Sequence, residues 1–136
     1  MAEATSQDFL DEDPMESSMD EKTFKIRTKK LAVAIIRQVG NLPRSLATDV
    51  IGKQLVRSGT SIGANYRAAC RAKSTADMIN KMKNVEEESD ETGYWLELLV
   101  EAEIIPQDQI AELAKETNEI LAMTVASIKT LRNRKS

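Results

Sequence analysis

Chemistry has few places to reside in this chain of 136 residues. There is no histidine and a single cysteine, Cys70, so the commonest general base is missing and no nucleophile can pair with an imidazole. A Cys/His metal site is excluded on the same ground. The acidic run Glu86-Glu87-Glu88, with Asp90 and Glu91, invites comparison with carboxylate-bridged di-iron bundles, but those need a Glu-x-x-His element. A solvated face is the expectation, part of it paired locally, since Lys83 precedes Glu87 by one helical turn. No glycine-rich phosphate loop follows a strand. The residues point away from an enzyme and call for no cofactor. Cys70 is expected to act as a small buried hydrophobe rather than as a reactive thiol.

Cations carry the stronger signal. The formal net charge is −3, yet residues 1–21 hold eight acids and no base, which leaves +5 on the remainder. By segment the first two helical regions carry +6 and +5, the third −7 and the fourth +1. At 100° per residue Lys53, Arg57, Arg67 and Arg71 fall within an arc of about 80°, opposite the apolar Ile51, Leu55, Ile62, Tyr66 and Ala69. The first helical region adds Lys22, Lys25, Arg27, Lys29, Lys30 and Arg37. Such a surface is either a solvated face whose opposite signs favour neighbouring helices, or a groove for phosphates bound with counterion release. An acidic protein partner is the third reading. Tyr94 and Trp95 could stack on bases, but adjacent helical positions lie about 100° apart, so Trp95 is expected as a core or subunit-interface anchor.

These residues must be positioned by helices. Aromatics are scarce, glycine and proline are few, and Ala, Leu, Ile, Glu, Lys and Arg dominate, a composition that favours helix over strand. Phe24, Leu31, Ile35 and Val39 place a first helix from about Lys22 to Val39, closed by Gly40-Asn41-Leu42-Pro43. A second helix starts near Ser45 and runs towards Arg71, with a bend or a close helix approach expected at Gly59 to Gly63. Ser74 and Asp77 resemble a capping box opening a third helix that reaches about Glu103. Its seam is Met78, Met82, Val85, Ser89, Thr92, Leu96 and Leu99, with two hydroxyls that bond across helices or to their own carbonyls. Pro106 suits the first position of a fourth helix, whose seam is Ile110, Leu113, Thr117, Ile120, Thr124, Ile128 and Leu131. Short loops between such helices predict an all-α, up-down-up-down four-helix bundle over residues 22–136. Residues 1–21, rich in acids, Ser, Thr and Met, read as a disordered acidic tail able to compete for the chain's own basic surface.

Two signatures, Arg57-Ser58-Gly59-Thr60-Ser61-Ile62-Gly63-Ala64-Asn65 and Glu91-Thr92-Gly93-Tyr94-Trp95-Leu96-Glu97-Leu98-Leu99, carry a family resemblance. With Ser74, Asp77 and Lys81 between them, the chain resembles the S23-type proteins encoded by intervening sequences in bacterial 23S rRNA genes. The likeness extends over nearly all of residues 22–133. It departs after Asn65, where Tyr66-Arg67-Ala68-Ala69 stands in place of the commoner Ile-Ala-Glu-Gly. The resemblance implies a left-handed bundle assembled as a homopentameric ring. It also implies kinship with an accessory protein of diversity-generating retroelements, which partners a reverse transcriptase and nucleic acid through a basic surface.

The functional expectation is a non-catalytic oligomer that binds RNA or DNA through Lys29, Lys30, Arg37, Lys53, Arg57, Arg67 and Arg71. The alternative is a structural or protein-interaction scaffold without direct nucleic-acid binding. A lone cysteine, no apolar stretch near the roughly twenty residues of a membrane span, and no signal-like leader fit a cytoplasmic location.

Overall fold

In the computed structural model the described residues run from 20 to 135. The segment expected as a tail lies outside them, except for Asp20 and Glu21, which belong to the first helix rather than to a tail. Asp20 accepts a hydrogen bond from the Thr23 backbone N–H at 3.0 Å and caps α1, Glu21–Gly40. A carboxylate there satisfies an orphan amide and complements the helix dipole. Helix α2 spans Leu46–Cys70, α3 Thr75–Glu101 and α4 Ala111–Lys135, with a short 3-10 turn at Gln107–Gln109. Among the described residues there is no strand.

Local chemistry accounts for the boundaries. The Ser45 hydroxyl accepts from the Thr48 N–H, and the Ser74 hydroxyl accepts from the Asp77 N–H. Asp77 returns the bond to the Lys73 N–H at 3.2 Å, one residue before the position a capping box uses. That bond and the Lys81 ammonium hold the Asp77 carboxyl below its ordinary range, Lys81 being the larger cause. Helix α3 ends at Glu101, two residues before the position expected. Glu103 N–H bonds Val100 C=O and Ile104 N–H bonds Leu99 C=O, the paired bonds of a Schellman motif. Glu103 therefore takes a φ of 60°, a left-handed conformation that glycine adopts more cheaply. Pro106 does not open α4 as expected. It adopts extended backbone and precedes the 3-10 turn, so that the α-helix begins at Ala111.

The helices bury one stripe each. From α1 come Phe24, Thr28, Leu31 and Ile35; from α2 Leu55, Ser58, Ile62, Tyr66 and Ala69. Helix α3 contributes Ile79, Met82, Val85, Ser89, Thr92, Leu96 and Leu99, α4 contributes Thr117, Ile120, Thr124 and Ile128, and Ile110 is buried just before α4 at the end of the 3-10 turn. The seam on α3 starts at Ile79, with Met78 half-buried beside it, while Val39, Leu113 and Leu131 lie at the core margin. Each fully buried Leu, Ile or Phe contributes about 1.5–3 kcal/mol, which makes this four-helix core the main source of stability. Its hydroxyls are satisfied inside the bundle. Ser89 donates to Val85 C=O, Thr92 to Glu88 C=O, and the Thr92 and Ser58 hydroxyls meet across α2 and α3 at 2.9 Å.

Helix α2 packs on α1 and α3, and α3 on α4, whereas α1 and α4 meet sparsely. Helix α2 runs unbroken through Gly59 and Gly63. Its glycines admit α1: a Cβ at Gly59 would lie 2.5 Å from Ile35 Cδ1, and one at Gly63 would lie 3.0 Å from Thr28 Oγ1. With Phe24 edge-on to Tyr66 at 4.6 Å, the pairs 24/66, 28/63 and 35/59 run in opposite directions, so α1 and α2 are antiparallel.

Candidate polyanion-binding face

Helix α1 turns its core stripe inward and its lysines outward. Lys29, Lys30 and Arg37 are exposed, and with Ile26, Val33 and Ala34 they line a shallow depression of about 340 Å³. On α2, Lys53, Arg67 and Arg71 are also exposed, Arg71 as the C-cap residue beyond the last turn. Lys53 borders an open cleft of about 580 Å³ at the corner between α1 and α2, shared with Val39, Leu42 and Gly52. None of these six cations has a carboxylate partner among the described residues.

Arg57 is exposed as well, but it is the one of the seven expected cations that has carboxylate partners among the described residues. Its guanidinium reaches across to α3, where it bonds Glu91 and lies 3.3 Å from Glu88. The Glu88 Oε1 atom there is buried without a hydrogen bond of its own. Glu91 also accepts from Trp95 Nε1 at 3.1 Å. Arg57 foremost, with Trp95 assisting, holds the Glu91 carboxyl below the usual glutamate range, and the same glutamates raise Arg57. The cause lies in geometry: Arg57 is the cation of its stripe that reaches α3, and it bridges the α2–α3 seam at the surface while remaining exposed.

The acidic run follows from this. Glu88 and Glu91 serve Arg57, and the local pair expected between Lys83 and Glu87 does not form among the described residues. No group of three or more carboxylates or thiols among those residues is arranged to hold a metal ion. Trp95 is half-buried against the core, while Tyr94 is 54% exposed and edge-on to it at 5.2 Å. Cys70 is half-buried next to Tyr66, and burial pushes both the thiol and the phenol up from their ordinary values.

Arg27 is a further cation that charge counting places on the basic side and the fold assigns elsewhere. It is bidentate to Glu116 at 2.7 and 2.8 Å and also bonds Glu119 at 2.8 Å, with the Met123 sulfur 3.4 Å away. The clamp ties α1 to α4, and Glu116 above all raises the Arg27 guanidinium further still. What sequence reasoning missed is the trio Ile26, Val33 and Ile36, exposed by 48, 39 and 50%. They project opposite the core stripe, and a helical wheel of α1 alone would have placed them there.

Among the described residues the fold is all-helical with four principal helices, the first strongly net positive and the third strongly net negative. Residues 23–126 match the family model described as 23S rRNA-intervening sequence protein, and the chain belongs to that family. Among solved structures, a protein of unknown function from the S23 ribosomal protein family of Bacteroides thetaiotaomicron is similar. It is 39% identical with a TM-score of 0.73, covering 79% of this chain and 96% of the other. No curated protein matches the chain. No described helix is long and apolar enough to cross a membrane.

Proposed function

We propose that this chain is a non-catalytic, oligomeric helical protein that binds nucleic-acid phosphates through the unpaired cations of α1 and α2. The observation that supports this reading is the division among the cations. Arg27 and Arg57 are consumed by interhelical carboxylates, whereas Lys29, Lys30, Arg37, Lys53, Arg67 and Arg71 have none among the described residues. Unpaired cations on adjoining helices suit a phosphate backbone, which needs charge and spacing rather than base-reading geometry, so low sequence specificity is expected. In the same proposal the helices run up-down-up-down with a left-handed twist, five copies close a ring in the cytoplasm, and a retroelement reverse transcriptase is the protein partner.

The test is a mobility shift with a single-stranded oligonucleotide at low salt. Reversing Lys29, Lys30 and Arg67 to Glu abolishes retention, whereas Arg57→Glu weakens the fold more than it weakens binding. Every phosphate that a variant no longer neutralises should flatten the slope of log K against log salt by about 0.7. Unaltered retention in the triple variant refutes the reading. The exposed Ile26, Val33 and Ile36 favour a second reading, a scaffold for a protein partner with no direct nucleic-acid contact. Capture of a protein that survives nuclease treatment, by a chain that retains no oligonucleotide, supports it.

A further inference from the structure

The outward face of α1 carries more than a phosphate needs. Ile26, Val33 and Ile36 lie among Lys22, Lys29, Lys30 and Arg37, all seven within an arc of about 120°. The four cations have no carboxylate partner among the described residues. Phosphates would use the charges and leave the three aliphatic side chains in water. A partner bearing both acids and apolar side chains would satisfy the whole face.

The chain itself contains such a partner. Residues 1–19 include Glu3, Asp8, Asp11, Glu12, Asp13 and Glu16, no lysine or arginine, and the adjacent pair Phe9 and Leu10. They join α1 at its first turn, through Asp20. Along the helix Lys29 and Lys30 stand about 14–15 Å from Asp20, and Arg37 about 25 Å. An extended chain spans up to about 3.3–3.6 Å per residue, so the seven residues back to Asp13 reach about 23–25 Å and the eleven back to Phe9 about 36–40 Å. The acids therefore reach the lysines, and Phe9 and Leu10 reach Val33 and Ile36, with length left for the reversal at Asp20.

We infer that residues 1–19 fold back along the outward face of α1 in the same copy of the chain. Asp8 to Glu16 then lie on Lys22, Lys29, Lys30 and Arg37, while Phe9 and Leu10 cover the exposed aliphatic residues. The segment thereby competes with a polyanion for this face; the competition rests on the function proposed above, and the contact does not. A tether this short presents its segment at an effective concentration of about 1 mM, so a contact of only about 0.1–1 mM intrinsic affinity lowers apparent polyanion affinity about two- to tenfold. The rival occupant is the outward acidic face of α3 in a second copy, with Glu87, Asp90, Glu97 and Glu101 exposed around Tyr94. It lacks the tether.

The experiment is zero-length carbodiimide coupling of the full chain, mixed from isotopically heavy and light copies and read by mass spectrometry. Amide links from Lys29 or Lys30 to acids between Asp8 and Glu16, within copies of one isotope, are the expected result. No such links, or links only to α3 carboxylates of another copy, overturn the contact. A full-length variant with Asp8→Asn, Asp11→Asn, Glu12→Gln, Asp13→Asn and Glu16→Gln should lose the links and bind a single-stranded oligonucleotide about two- to tenfold more tightly at low salt. Equal affinity overturns the competition. Links in the parent with no oligonucleotide bound by either chain uphold the contact and refute polyanion binding, and oligonucleotide binding without links does the reverse.

Discussion

Along α2, helix α1 is held by what its partner lacks, and along α4 it is held by one charged clamp. Gly59 and Gly63 let the α1–α2 backbones approach until Ile35 and Thr28 fill the space a side chain would occupy. The α1–α4 seam is sparse by comparison, and there Arg27 spans to Glu116 and Glu119. Close packing of this kind gains dispersion over its whole length and is insensitive to charge. A clamp between partly exposed groups acts at one point and weakens with salt. Opening of α1 should therefore start on the α4 side, with α2 as the hinge.

The largest effect should come from filling the α1–α2 seam. Gly59→Leu forces α1 outward and should cost about 3 kcal/mol, at the high end for overpacking. Gly93, where a methyl group would meet nothing within 4 Å, is the contrasting site, and Gly93→Ala should gain about 0.5–1 kcal/mol from helix propensity. Urea unfolding at one fixed protein concentration measures both, and a Gly59→Leu chain as stable as its parent would break the account of that seam.

A smaller effect is expected at the clamp. Arg27→Ala should cost about 1–2 kcal/mol, because charge-assisted bonds to partly buried carboxylates disappear. Native-state hydrogen exchange should then quicken on the faces of α1 and α4 that meet, with little change where α1 meets α2. Loosening on the α2 side first would reverse the comparison.

The smallest is electrostatic and belongs to the α2–α3 seam. Arg57 and Trp95 depress Glu91 in the fold, whereas the unfolded chain takes up that proton near the ordinary glutamate value of about 4.3. The contribution is thus fully present above that pH and is lost as pH falls through the lower folded value. Exposure of both partners limits it to about 1 kcal/mol or less. Stability measured from pH 6 down to pH 3 should show this loss, and Glu91→Gln should flatten that part of the curve; an equally steep curve in the variant would assign the acid loss to other carboxylates.

Much of this was legible in the residues because helical periodicity and capping are local. The seam of α3 was readable except at its first position, where Ile79 is buried and Met78 lies beside it. Ser45 and Ser74 announced the starts of α2 and α3. Pro106 misled, since proline fits the entry of a 3-10 turn as well as the first turn of an α-helix. Among the candidate cations, type and spacing placed Lys53, Arg57, Arg67 and Arg71 on one stripe. They could not say that Arg57, and not Lys53, would meet Glu88 and Glu91.

Residue order alone dictates that this protein is helical, where three of its four principal helices begin, which stripe of each is apolar, and how charge is shared among them. Those properties depend on residues a few positions apart. Packing in three dimensions settled that Arg27 and Arg57 are spent on neighbouring helices, that Gly59 and Gly63 admit α1, and that Ile26, Val33 and Ile36 stay outside the four-helix core, beside lysines with no carboxylate partner among the described residues. Each of those outcomes depends on which helix lies alongside and at what rotation about its axis, and residues far apart in the chain set both.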